Sequence, residues 1–480
     1  MVTLVKEQAK NTYDMTFISN IYYTLRNMTL NSLGVERDFT RLLADKDIGK
    51  VRNLMQNRDT TVLNTLQEYI PAEHKIHRKR DKKRDGQEPY RSEKLPRARQ
   101  RYINEVELFF LLGNNIKWEV SDATKNGDRF SMYQSMLTKL RFDSIIRQAK
   151  RLAGAETESA ILFHLYRTAD DQPAAKPIVL AYSKGYTLRP LFDQYGNMLA
   201  FGYGYYLNEG NKNVEHFDIQ TPGIIYKAKK GISGWEVEAQ PNPTGKINAV
   251  YIQQPKAWDG VQERCDREES IDSRIADTNN YFSDPMAVAT VDVIDSLAAP
   301  DKPGKLIQLM GHDSKFEYIN PPMASDLQAA ERKALNDSIL FDSFTPDLSY
   351  EAMKGVGTLS GEAMKRAMAL GYMKRANLEE TYDVVVDRCK NIILAIMEKV
   401  THIGQFKAKD LEITHSFAEP FNDNVDKLWS QVGRAYADGI LSLEQAVQML
   451  GATDDAEAEI ARIKEAKAQA QAAALFEPTY

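Results

Sequence analysis

The sequence predicts an α+β chain, mainly helical, made of several unlike parts. Three observations predict it. Apolar residues recur at helical spacing through much of residues 1–153 and again beyond 361. From about 158 to 253 the pattern changes to short β-branched and aromatic runs separated by turn residues. Two very polar segments of matched length, 261–284 and 323–343, then read as long helices flanking a proline- and glycine-broken insert.

Residues 1–70 read as helices, with Phe39, Leu42, Leu43, Val51 and Leu54 near helical spacing and Pro71 as the stop. Residues 75–101 (KIHRKRDKKRDGQEPYRSEKLPRARQR) hold twelve Lys/Arg against four Asp/Glu, a local +8 on a chain of net −5. The polar, proline-punctuated composition predicts a loop that either meets phosphates or docks on an acidic neighbour. Arg78, Lys79, Arg80, Lys82, Lys83 and Arg84 are the candidate patch. Helical periodicity returns from Arg99 to Leu112 and from Ser131 to Ala153.

The runs SAILFHLYR, KPIVLAYSK, MLAFGYGYYL, GIIYKAKK, GWEVEAQ and INAVYIQQ read as antiparallel strands. Turn signals at Asp193–Asn197, Lys230–Gly234 and Asn242–Gly245 separate them. In the first polar helix Ile271, Ile275 and Phe282 share a face. In the second, Leu327, Ala330, Ala334, Leu335 and Ile339 do. The two helices would span about 36 and 32 Å. Together they carry −6, and so narrow an apolar stripe implies neighbours on both sides. The insert 286–322 contains the strand-like KLIQLM and KFEYIN.

The stretch FTPDLSYEAMKGVGTLSGEAMK (344–365) is a glycine-loosened loop, since Pro346 ends the helix before it and Ser360 resembles a helix cap. A long helix follows towards Val400, with the stripe Tyr382, Val385, Val386, Cys389, Ile392, Ile393, Ile396 and Val400. The tail from 424 is helical and ends alanine-rich.

At 43% apolar and 27% charged the composition is that of a folded soluble protein. No apolar run reaches membrane-spanning length, and the start lacks a signal-sequence pattern. Cys265 and Cys389, far apart and outside any CxxC, fit a reducing compartment. The loop at 355–361 cannot be a phosphate loop: the glycine spacing is wrong, and Glu362 stands where the lysine should be. His74 and His77 sit in a basic stretch, and neither HExxH nor GxSxG occurs. The expectation is therefore a non-enzyme with no catalytic residues, metal or cofactor.

The order of landmarks resembles the portal proteins of tailed bacteriophages, in particular the siphophage type with stem, clip, wing and crown. RARQRYINEVELFFLLGNNIKWEV (97–120) is similar to the family's helix ending in Leu-Gly. ERCDREESIDSRIADTNNYFSDPMA (263–287) resembles its first stem helix, through Ile271, Asp272, Asn280, Ser283 and Asp284. Pro346-Asp347 followed by Ser360-Gly361-Glu362-Ala363-Met364-Lys365 resembles the stretch Pro-Asp … Ser-Gly-x-Ala-x-Lys, and ADGILSLEQAVQMLG (437–451) resembles crown helices.

The resemblance implies a ring, a dodecamer in the particle, at one capsid vertex of the virion, assembled in the host cytoplasm with major capsid and scaffolding protein. Double-stranded DNA would pass through it. The terminase large subunit would dock during packaging, and head-completion or neck proteins afterwards; no membrane is involved. It divides the chain into N-terminal helices and wing (1–260), stem (261–343) with clip (286–322), tunnel loop (344–360), long wing helix and connection (361–423), and crown with tail (424–480). Met353, Lys354, Gly355, Gly357 and Ser360 would form the tunnel loop. Glu268, Glu269, Asp272, Asp277, Glu331 and Asp337 would line the stem channel with negative charge and discourage tight adhesion of DNA. The rival readings are a nucleic-acid-binding oligomeric scaffold, another capsid structural protein and, further off, a packaging ATPase or nuclease.

Overall fold

The computed structural model describes residues 34–81, 91–210, 212–283, 287–289, 316–318, 325–354, 365–409, 411–421, 425–451 and 459–466. It is α+β, with helices around antiparallel sheets. The N-terminal helices are α1 (Gly34–Ala44), α2 (Ile48–Leu54) and α3 (Asp59–Tyr69). Asp47 caps α2 by accepting from the Lys50 N–H at 3.1 Å. Two short 3₁₀ turns, Pro71–Glu73 and Lys75–Arg78, lead towards α4 (Arg99–Leu112). Then come β1 (Lys117–Val120), α5 (Ala123–Leu140) and α6 (Phe142–Glu156).

The β region holds eight strands in two sheets. β2 (Glu158–Arg167) pairs with β3 (Pro173–Leu180) on one side and with β9 (Ala249–Gln253) on the other. Between these in sequence, β4 (Thr187–Phe192), β5 (Met198–Glu209), β6 (Lys212–Gln220), β7 (Ile224–Gly231) and β8 (Gly234–Pro241) form a five-stranded antiparallel meander. The turn signals at Asp193–Asn197 and Lys230–Gly234 join the paired strands β4–β5 and β7–β8, whereas Asn242–Gly245 carries the chain from β8 to β9 in the other sheet.

Two polar helices follow, α7 (Gln262–Ser283) and α8 (Ser325–Asp342), within a residue or two of their expected bounds. They run in opposite directions: Arg264 pairs with Asp342, and Asp272 with Arg332 at 3.2 Å. Between them the short β10 (Ala287–Ala289) pairs with β11 (Phe316–Tyr318); KLIQLM lies outside the described residues. A helical turn, α9 (Tyr350–Met353), is capped by the Ser349 hydroxyl, so part of the expected loop is ordered helix. α10 (Ala369–Ile396) widens into a π-helical turn at Met397–Thr401. β12 (Ile413–Ser416) then pairs with β1 from almost three hundred residues earlier.

The expected α10 stripe is the spine of the main core. Tyr382, Val385, Val386, Cys389, Ile392, Ile393 and Ile396 pack with Leu111, Phe142, Ile146, Ile161, Phe163 and Val250. A second core sets Phe39, Leu43, Val51 and Met55 against Phe217 and Ile219 of the meander. Residues to Pro346 together with Leu370–Ala418 form one compact unit. Asp347–Ala369 with Glu419 onward form another. In the second unit, α11 (Val425–Ala437) and α12 (Leu443–Leu450) bury Val432 and Ala446, and Lys464 pairs with Glu444 at 2.8 Å.

Candidate functional site

α7 owes its geometry to an unusual buried face. Cys265 and Ile271 are buried, but so are Glu268, Glu269, Ser273 and Asp277. Carboxylates leave water only when charge or hydrogen bonds compensate them. Here the chain's own basic segment compensates them, because its described residues, 74–81 and 91–99, meet the helix as a strap. His74 Nδ1 meets Glu269 Oε1 at 2.6 Å with both side chains buried, and the same carboxylate accepts the Arg97 backbone N–H at 2.8 Å. Arg97 and Arg99 both donate to Glu268, the latter through Nε and Nη2 at 2.9 and 2.8 Å. Lys75 reaches Asp266 at 2.8 Å. The strap's backbone is tied as well: Glu93 N–H donates to Asp277 Oδ1 at 2.7 Å, and Leu95 N–H to Ser273 Oγ at 3.0 Å.

Glu268, Glu269 and Asp277 are buried against the strap, and Asp272 sits between Arg97 (3.6 Å) and Arg332, so these four cannot form a bare acidic lining. Glu331 is paired with Arg267 at 2.7 Å, and Asp337 alone of the six is exposed without an ion pair among the described residues. Counted with the basic segment 75–101, the two helices carry +2 rather than −6. The basic segment, for its part, finds its acidic neighbour in the same chain. Of its patch, Arg78 is exposed and donates to Gln67 at 3.2 Å, Lys79 is half-buried and Arg80 exposed. Lys82, Lys83 and Arg84 lie outside the described residues.

The loop residues divide likewise. Met353 is half-buried at the end of α9 and Lys354 is exposed, whereas Gly355, Gly357 and Ser360 lie outside the described residues. Of the α8 stripe only Ile339 is buried, while Leu327, Ala330 and Ala334 face outward.

Sequence reasoning missed the joint where both polar helices are rooted. Lys374, on the first turns of α10, donates to Ala257 O at 2.9 Å just before α7 and to Ser343 O at 3.0 Å just after α8. It also lies 3.3 Å from Glu107 on α4. Glu107 is shared with the fully buried Lys150 and accepts from Gln254 at 3.0 Å. Tyr382 OH completes the network by donating to Gln254 Oε1 at 2.6 Å. Burial pushes the Glu107 carboxyl up, but Lys150 and Lys374 outweigh that and hold it below its ordinary value. Burial lowers both lysines, with Glu107 opposing. Backbones approach closely at this joint: a Cβ on Gly371 would stand 2.3 Å from the Phe110 ring. A pair of lysines flanking a lone glutamate at packed positions was the available signal, hidden among many exposed charges.

Among the described residues no group of three His, Cys, Asp or Glu side chains could hold a metal ion, and no helix is long and apolar enough to cross a membrane. Burial raises the Cys265 thiol to about 12 and raises Cys389 as well, so neither is a ready thiolate.

A family described as "Phage portal protein, SPP1 Gp6-like" matches residues 54–473, nearly the whole chain. The chain belongs to this portal family. No curated protein matches it. Among solved structures it is similar to a chain in "Neck of native GTA particle computed with C12 symmetry", at 11% identity and TM-score 0.41, covering 74% of this chain and 90% of that one. It is also similar to one in "Virion of native gene transfer agent (GTA) particle", at 10% identity and TM-score 0.41, covering 82% and 93%. The portal family is structural rather than enzymatic.

Proposed function

We propose that the protein forms the ring-shaped DNA channel at one capsid vertex, twelve copies in the particle. It docks the terminase large subunit during packaging and neck proteins afterwards. In this reading 261–343 is the stem with its clip at 286–322, 344–360 the tunnel loop and 424–480 the crown. The observation that carries it is the family match over residues 54–473. The antiparallel helix pair α7–α8 with its β-paired insert supports it, because a projecting hairpin with exposed Leu327 and Phe341 needs lateral neighbours. A near-neutral stem also suits translocation, since each retained phosphate contact would resist sliding.

The rival of a DNA-binding scaffold loses support because Lys75, Arg97 and Arg99 are engaged with the protein's own acids. Negative-stain microscopy of purified protein, viewed down the particle axis, tests the proposal. Closed rings of about a dozen subunits with a central hole are expected. Sheet-like lattices would transfer the protein to the capsid shell, and monomers that bind DNA salt-sensitively would restore the scaffold.

A further inference from the structure

A cleft of about 430 Å³ opens between α7, α8 and the strap. Arg97, Arg99, Arg332 and Lys333 line it, with the amides of Gln328 and Asn336. Against these four cations the lining holds one carboxylate, Glu268, with Asp272 paired to two of them nearby. Glu268 is saturated by Arg97 and Arg99, and Asp272 is shared by Arg97 and Arg332. Lys333 is exposed and has no anionic partner among the described residues. The site therefore has hydrogen-bond donors and positive charge in excess, arranged around guanidinium planes suited to a carboxylate or phosphate.

The rest of α8 indicates which of these it takes. Away from the cleft the helix presents Leu327 and Phe341, 74% and 65% exposed, with Ala330 and Ala334 between them. Only Ile339 and Leu340 of its described side chains are buried. A charged pocket on one face and an apolar stripe on the other match the anatomy of a protein contact. Duplex DNA would favour a continuous basic stripe. The chain outside residues 75–101 carries −13 and supplies acids in plenty. In a closed ring each subunit also offers one face to the next and the opposite face to the previous.

We propose that this cleft is a carboxylate site filled in the assembled ring by an acidic side chain of the neighbouring copy. The proposal rests on the ring reading above. The cleft is half of a directional contact.

Full-length protein with Lys333→Glu and, separately, Gln328→Glu tests it, with native mass spectrometry reporting ring and monomer and a thermal melt reporting the fold. Lys333→Glu reverses an exposed charge at the cleft. Gln328→Glu places the chain's own carboxylate inside it, which should hold or raise the monomer's melting temperature while competing with the neighbour. The expected result is a ring-to-monomer ratio at least tenfold lower in both variants, with melting unchanged or raised. Rings as abundant as in the parent protein would overturn the cleft's role and leave the ring reading intact. Absence of rings in the parent protein would overturn both. Variants that keep rings but lose binding of a 30-base-pair duplex would assign the cleft to phosphates, against the proposal.

Discussion

Replacing Lys374 by methionine keeps the volume of the side chain and deletes one ammonium. The charge is 12% exposed, so solvent offers little screening. Its pKa is lowered because burial outweighs its partners, so the penalty comes from what it leaves behind. Ala257 O and Ser343 O would each lose a charged donor, at 2.9 and 3.0 Å, and Glu107 would keep only Lys150. Breaking a buried pair costs about 3–5 kcal/mol; since Glu107 is not orphaned, the lower end, about 3 kcal/mol, is expected here. Equilibrium denaturation of the variant, paired with hydrogen exchange, reads both the size and the place. Exchange should rise around residues 257–265 and 339–345 together, because one ammonium anchors both helix roots. A loss below about 1 kcal/mol would mean that water or a neighbouring donor replaces the ammonium; unchanged exchange at either root would likewise refute the joint.

Four other substitutions probe separate links. Glu268→Gln leaves two guanidinium groups without their shared charge, and because Arg97 still reaches water the expected loss is about 2 kcal/mol by denaturation; no loss would show the strap to be ornamental. Gly371→Ala drives a methyl into Phe110 and should cost about 1–3 kcal/mol, whereas Gly127→Ala in α5 meets nothing within 4 Å and should be neutral or stabilising by about 0.5–1 kcal/mol. Equal melting shifts in the two variants would contradict that contrast. His415, packed by Trp118 and Phe417 and facing Asp383, Asp387 and Lys390, has its pKa lowered below 6.5 by burial, with the two aspartates opposing. The unfolded chain then binds this proton more readily than the native one, so stability falls as pH drops through the window just below 6.5. His415→Gln should flatten that slope, and an unchanged slope would assign it to another group.

The elements were legible wherever local chemistry decides them. Alternating strands with Asp193–Asn197 and Lys230–Gly234 between them became the meander, and the Tyr382–Ile396 stripe became the spine of the core. The bounds of α7 and α8 were readable from charge density and prolines. Their faces were not. Residues at Glu268, Glu269 and Asp277 look solvated by any local rule, and only a partner almost two hundred positions away makes them interior. The clue in the sequence was the match itself: one helix with carboxylates at i, i+3 and i+4 positions, and one segment with a surplus of arginine. A charge surplus names no address, so phosphate, neighbour and self are indistinguishable until the fold joins them. The strand pair β1–β12 was missed for the same reason, since nothing local in Lys117–Val120 specifies Ile413–Ser416.

The strap also sets an order of events. A meander of neighbouring hairpins closes through local contacts, but the bond between His74 and Glu269 must wait for some two hundred residues of intervening chain. During synthesis the arginines emerge first and remain without their acids until the whole β region has passed. A subunit with its strap unlatched would hold a helix whose inner face is carboxylate, which helical propensity alone cannot keep in place. The latch thus ties the geometry of the helix pair to completion of the whole β region, a long-range closure that no local hairpin needs.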